Sequence, residues 1–103
     1  MKQGKRKALE EKGYVVGSAE EFLGLTKEES EFVELKLALA RGLAKARRRK
    51  RMTQVELAKL VKSSQSRVAK MEAGDPTVSM DLLVKSHLAL GTRRKTLARM
   101  MTE

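Results

Sequence analysis

The stretch "TQVELAKLVKSSQSRVAKMEAGDP", residues 53–76, decides how this chain folds. Thr53 with Glu56 three residues on has the spacing of a capping box, in which each side chain satisfies the other's backbone N–H at a helix start. That predicts a helix to about Val61. Ser64 is placed to cap a second helix running to about Ala73, where Gly74-Asp75-Pro76 stops it. Two helices joined by so short a turn cross steeply, and the first must carry a small residue where the backbones approach; Ala58 supplies it. Leu57 with Val61, and Val68 with Met71, then share a small core. Gln65, Ser66, Arg67, Ala69 and Lys70 are left facing outward on the second helix.

The flanks extend the same pattern. Upstream, Thr26 with Glu29 repeats the capping box and opens a long helix, with Phe32, Leu35, Leu39, Gly42/Leu43 and Ala46 recurring at three- and four-residue intervals. Glu28, Glu29, Glu31 and Glu34 lie toward its positive end, and the cations from Arg41 to Arg51 crowd its C-terminal half, a gradient that the helix dipole favours. Downstream, Ser79 caps a helix through Leu90 that Gly91 stops, and Thr92 opens a last short helix to about Met101. Ahead of all this, residues 1–12 read as a basic arm and Gly13 to Gly17 as a short extended piece. Ser18 with Glu21 reads as the cap of a short helix, Ala19 to Leu23, ended by Gly24. The fold expected is therefore all-α: an N-terminal arm and short helix over 1–25, and a five-helix domain over 26–103.

Composition narrows the chemistry. The 103 residues carry a formal charge of +10, unevenly spread: residues 1–34 hold six Lys/Arg against eight Asp/Glu, and residues 35–103 hold seventeen against five. A basic surface of that density favours a polyanion, either nucleic acid or anionic membrane. Only Tyr14, Phe22 and Phe32 are aromatic, too few for a base-stacking single-strand or RNA platform, and residues 35–51 lack the Trp and Phe anchors of a membrane-surface helix. No run is long enough to span a bilayer. There is no cysteine and a single histidine, His87, so neither a metal site nor a cofactor is expected, and an enzyme is disfavoured for want of convergent catalytic groups. His87, among apolar residues, reads as a packing residue. The absence of cysteine fits a reducing cytoplasm.

The run Thr53-Gln54-x-Glu56-Leu57-Ala58, then Ser64-Gln65-Ser66-x-Val68, then Glu72-x-Gly74, resembles the phage-repressor-like (XRE) helix-turn-helix family over residues 41 to 91. The resemblance implies a lambda-repressor-like DNA-binding domain with the helix-turn-helix at about 53–73. It implies that Gln54 and Ser64 contact phosphates, that Gln65, Ser66 and Lys70, with Arg67, reach base edges, and that Arg47 and Glu72 form a structural ion pair. The family's usual turn glycine is replaced by Lys62, and its following apolar residue by Ser63. A lysine in a left-handed conformation costs roughly 1 kcal/mol relative to glycine, but Lys62 could in exchange reach a phosphate. Taken singly, each cation of Arg47-Arg48-Arg49-Lys50-Arg51 fits a solvated helix end; grouped beside the motif they suit phosphates, Arg48 and Arg51 foremost.

The flanking sequences "EEFLGLTKEESEFVELKLALARGLAKARRRKRMTQ" and "AGDPTVSMDLLVKSHLALG" are similar to small HigA-type antitoxins. That resemblance implies a bacterial, cytoplasmic, nucleoid-associated repressor that binds a palindromic operator as a homodimer and neutralises a RelE/HigB-like toxin. A stand-alone phage-type or stress regulator is the other reading. Leu97, Met100 and Met101 share one side of the last helix and suggest a dimer seam. Lys2, Lys5, Arg6 and Lys7 suit either a minor-groove arm or a solubilising tail.

Overall fold

The computed structural model describes residues 24–102. The expected extended piece at 13–17, the helix at 19–23 with its Ser18 cap, and the basic arm all lie outside these residues. Five helices occupy the described chain: α1 Lys27–Arg49, α2 Gln54–Leu60, α3 Gln65–Ala73, α4 Met80–Ala89 and α5 Arg94–Met101. Among the described residues there is no strand, and no helix is long and apolar enough to cross a membrane.

Helix starts follow the sequence signals closely. The Thr26 hydroxyl accepts from the Glu29 N–H at 3.0 Å while the Glu29 carboxylate accepts from the Thr26 N–H at 2.9 Å. Thr53 and Glu56 repeat this at 3.0 and 2.8 Å. Ser64 and Ser79 cap α3 and α4 through the N–H groups of Arg67 and Leu82, each at 3.1 Å. The exception is α5. Its N-cap is Arg93, with no side-chain cap bond. Thr92, the expected cap, is held elsewhere: its N–H donates to the His87 carbonyl at 2.9 Å, and its hydroxyl lies 3.2 Å from His87 Nδ1.

Helix ends share one device. After each of α1 to α4 a residue turns left-handed: Arg51 (φ 58), Lys62 (φ 56), Gly74 (φ 74) and Gly91 (φ 93). In each case the next N–H reaches back five residues, from Met52 to Arg47, Ser63 to Ala58, Asp75 to Lys70 and Thr92 to His87, so that orphan carbonyls at the helix end are satisfied. Two of the four positions lack glycine, and there a Cβ must be carried in the left-handed region.

Residues 35–103 form one compact unit, and the division from residues 1–34 falls within α1. The core of this unit is built on Leu39 and Leu43 of α1, Leu57 of α2, Val68 and Met71 of α3 and Leu83 of α4, all at most 1% exposed. Ala58, at 4%, is the small residue at the α2–α3 crossing. Phe32, expected in the apolar stripe of α1, is instead 48% exposed. Leu97 is buried in the core and is not available for the expected dimer seam, whereas Met100 packs against the core only partly buried and Met101 stays 37% exposed.

His87 is fully buried and its ring spans two elements. Nε2 lies 2.9 Å from the carbonyl oxygen of Leu39, which can only accept, so Nε2 carries the proton and Nδ1 accepts from Thr92. Burial pushes its pKa below the ordinary imidazole value despite the Leu39 bond, and the neutral ring ties α4 to the middle of α1.

Candidate nucleic-acid interface

The turn between α2 and α3 is closed by backbone bonds, Ser63 N–H to Ala58 O at 2.8 Å and Lys62 N–H to Lys59 O at 3.2 Å. Lys62 occupies the left-handed position foreseen from the motif, exposed at the apex. Burial of Val68 and Met71 then sets the rotation of α3, and Gln65, Ser66, Arg67 and Lys70 all come out exposed. Ala69 is half-buried instead of fully outward.

Behind this row lies a polar chain linking three helices. The Arg47 guanidinium donates through Nε and Nη2 to the two oxygens of Glu72, at 2.6 and 3.0 Å, and through Nη1 to the Met52 carbonyl at 2.8 Å. Glu72 Oε1 also accepts from the Gln54 amide at 3.0 Å, and Gln54 Oε1 accepts from Gln65 Nε2 at 2.6 Å. α1, α2 and α3 are thereby locked in one register. Burial alone would raise the Glu72 carboxyl, but hydrogen bonds from Arg47 and Gln54 and the charges of Arg47 and Arg48 outweigh it and hold the group below the usual carboxylate range. Arg47 is raised in turn by its bond to Glu72.

This arrangement refines the roles assigned from sequence. Gln54 points its amide inward to Glu72 and Gln65, leaving one N–H for any phosphate. The Ser64 oxygen caps α3 and lies 3.3 Å from the Ser66 hydroxyl, so what it can offer a phosphate is its proton. Gln65 uses one N–H on Gln54 and keeps its carbonyl and second N–H, the pair needed for a bidentate contact with adenine N6 and N7. Arg67 and Lys70 carry the fixed positive charge that suits guanine O6 and N7. Arg48 and Arg51 are exposed, and Arg51 is fixed by its left-handed backbone in the turn just before α2. The Gln54–Gln65 link escaped sequence reading, since the spacing of eleven residues across a turn has no periodic signature.

A row of hydrogen-bonding and cationic side chains on the first turns of a helix, braced from behind and free of apolar residues, offers the kinds of donor and acceptor that can pair with base edges in a nucleic-acid groove. The helix-turn-helix family model HTH_3 matches residues 43–97, which cover α2, α3 and α4 whole. The chain belongs to this family: it is an XRE-type helix-turn-helix protein, of a class of DNA-binding transcriptional regulators. No curated protein and no solved structure matches the chain.

Proposed function

We propose that the protein is a sequence-specific repressor that reads double-stranded DNA with α3 in the major groove. Gln65, Ser66, Arg67 and Lys70 contact bases, and Gln54, Lys62, Ser64, Arg48 and Arg51 contact phosphates. The observation that carries this reading is the bracing of Gln65 by Gln54, Glu72 and Arg47, which leaves its adenine-reading pair unused and pre-positioned. Residues 26–103 act as the DNA-binding domain behind an arm at 1–25. Because one recognition helix reads only a few base pairs, the protein works as a homodimer on a palindrome with half-sites about 34–36 Å apart. Its place is the cytoplasm, on the nucleoid when bound.

A second role, that of an antitoxin in a type II toxin–antitoxin pair that represses its own operon, is favoured by the charge asymmetry. Residues 10–34 hold eight carboxylates, which suit a small basic RNA-cleaving toxin of the RelE/HigB kind. A stand-alone phage-type or stress regulator would need only the DNA-reading half of this proposal.

The decisive experiment is binding of the purified protein to a labelled fragment of its own promoter and to scrambled DNA at 50 and 200 mM salt. If six to ten phosphates are neutralised, affinity falls by about 10³–10⁵ across that range on both DNAs, while preference for the promoter persists. Equal affinity for both DNAs at both salts would overturn base readout.

A further inference from the structure

The face of α1 turned toward α5 carries a second basic surface, and of its cations only Arg49 belongs to the cluster read as suiting phosphates. An open groove of about 660 Å³ between the two helices is lined by Arg41, Lys45, Arg49 and Arg99, with Ala38, Gly42 and Met100 among its apolar floor. None of the four cations is in an ion pair among the described residues, and no carboxylate lines the groove. Arg41, Lys45 and Arg49 stand four residues apart, a like-charge ladder that destabilises an isolated helix. The helix dipole, expected from sequence to favour the whole gradient, acts only within the terminal turns; it accounts for Arg49 and leaves Arg41 and Lys45 to another cause. The same holds at the other end, where Glu31 and Glu34 are exposed and lie beyond the first turn.

We propose that this groove receives the acidic first half of α1 from a second copy of the chain, the two α1 helices running antiparallel; the inference rests on the dimer named above. A helix acidic in one half and basic in the other is self-complementary only when its partner is reversed, and a two-fold axis does this with one surface serving both copies. Glu31, Glu34, Ala38, Arg41 and Lys45 recur at intervals of three and four residues along α1. With the axis near Ala38, Glu31 of one copy faces Lys45 of the other and Glu34 faces Arg41. The small side chain of Ala38 at the crossing permits close helix approach.

Sedimentation equilibrium on three folded variants tests this, with circular dichroism to check the helical content. The groups changed are all exposed and none is assigned to DNA. The unaltered chain is expected to be a dimer whose dissociation constant rises with salt. Glu31→Lys with Glu34→Lys, and separately Arg41→Glu with Lys45→Glu, should each weaken self-association roughly tenfold or more at low salt. Mixing these two variants should restore dimers, because their basic and acidic faces attract, and the chain carrying all four changes should dimerise as well; in that chain only an antiparallel two-fold pairing re-creates opposite charges in every contact. Dimers that persist in both double variants, failure of mixing to restore them, or an unaltered chain that is monomeric would overturn the proposal. A monomer that still prefers its promoter would leave the DNA-reading function intact; a charge-dependent dimer without promoter preference would remove that function and leave the interface standing.

Discussion

Arg47 and Glu72, on helices 25 residues apart in sequence, make a two-pronged ion pair with side chains 13% and 7% exposed. Its third guanidinium nitrogen holds the Met52 carbonyl, so the pair joins α1, the turn after it and α3 at one point. Removing one partner leaves a buried charge without its counterion. Glu72→Gln is therefore expected to cost about 3 kcal/mol, read as a lower urea midpoint. It should also weaken promoter binding more than non-specific binding, since the charged acceptor that anchors Gln54, and through it Gln65, becomes a weaker neutral one. Because the folded Glu72 pKa is depressed, its contribution is fully present above the ordinary carboxylate pKa and is lost as pH falls through the lower folded value. In Glu72→Gln that acid-induced loss should be smaller.

His87 predicts a separate pH dependence. Its folded pKa lies below the unfolded one, so the unfolded chain takes up a proton first, and stability drops as pH falls below about 6.5 toward the folded value. Denaturant midpoints between pH 7.5 and 5.5 should fall for the unaltered protein and stay nearly level for His87→Gln, whatever the absolute stability of the variant. A parallel decline in both would show that another group titrates.

Lys62 sets stability against binding. Lys62→Gly removes a Cβ from a left-handed position and is expected to raise stability by roughly 1 kcal/mol in thermal melts. If the ammonium neutralises a phosphate, the same change lowers the slope of log affinity against log salt by about 0.9 on any DNA. An unchanged slope would place Lys62 away from the backbone.

Base and phosphate contacts separate by their dependence on sequence. Gln65→Ala should cost about 1–3 kcal/mol on the promoter and almost nothing on scrambled DNA. Arg48→Ala should weaken both equally. Competition binding of the two variants against both DNAs checks the division.

The helices were legible from local chemistry. Thr53-Glu56, Ser64 and Ser79 announced their caps because the side-chain oxygen and the N–H it accepts from are three residues apart, a distance that sequence displays directly. Thr92 failed as a cap for the opposite reason. Its hydroxyl lies instead against His87 Nδ1, a tertiary contact that no local pattern shows.

The candidate site divides along the same line. Outward exposure of Gln65, Ser66, Arg67 and Lys70 followed from helical periodicity once Val68 and Met71 were read as core, and Lys62 at the turn followed from the motif. The tying of Gln65 through Gln54 to Glu72, the inward use of the Gln54 amide and the left-handed Arg51 did not. Capping and periodicity act over three or four residues and are written in the order of the chain. The polar chain from Arg47 to Gln65, the exposure of Phe32 and the basic groove beside α5 arise from which helix faces meet across long sequence separations, and packing alone sets that.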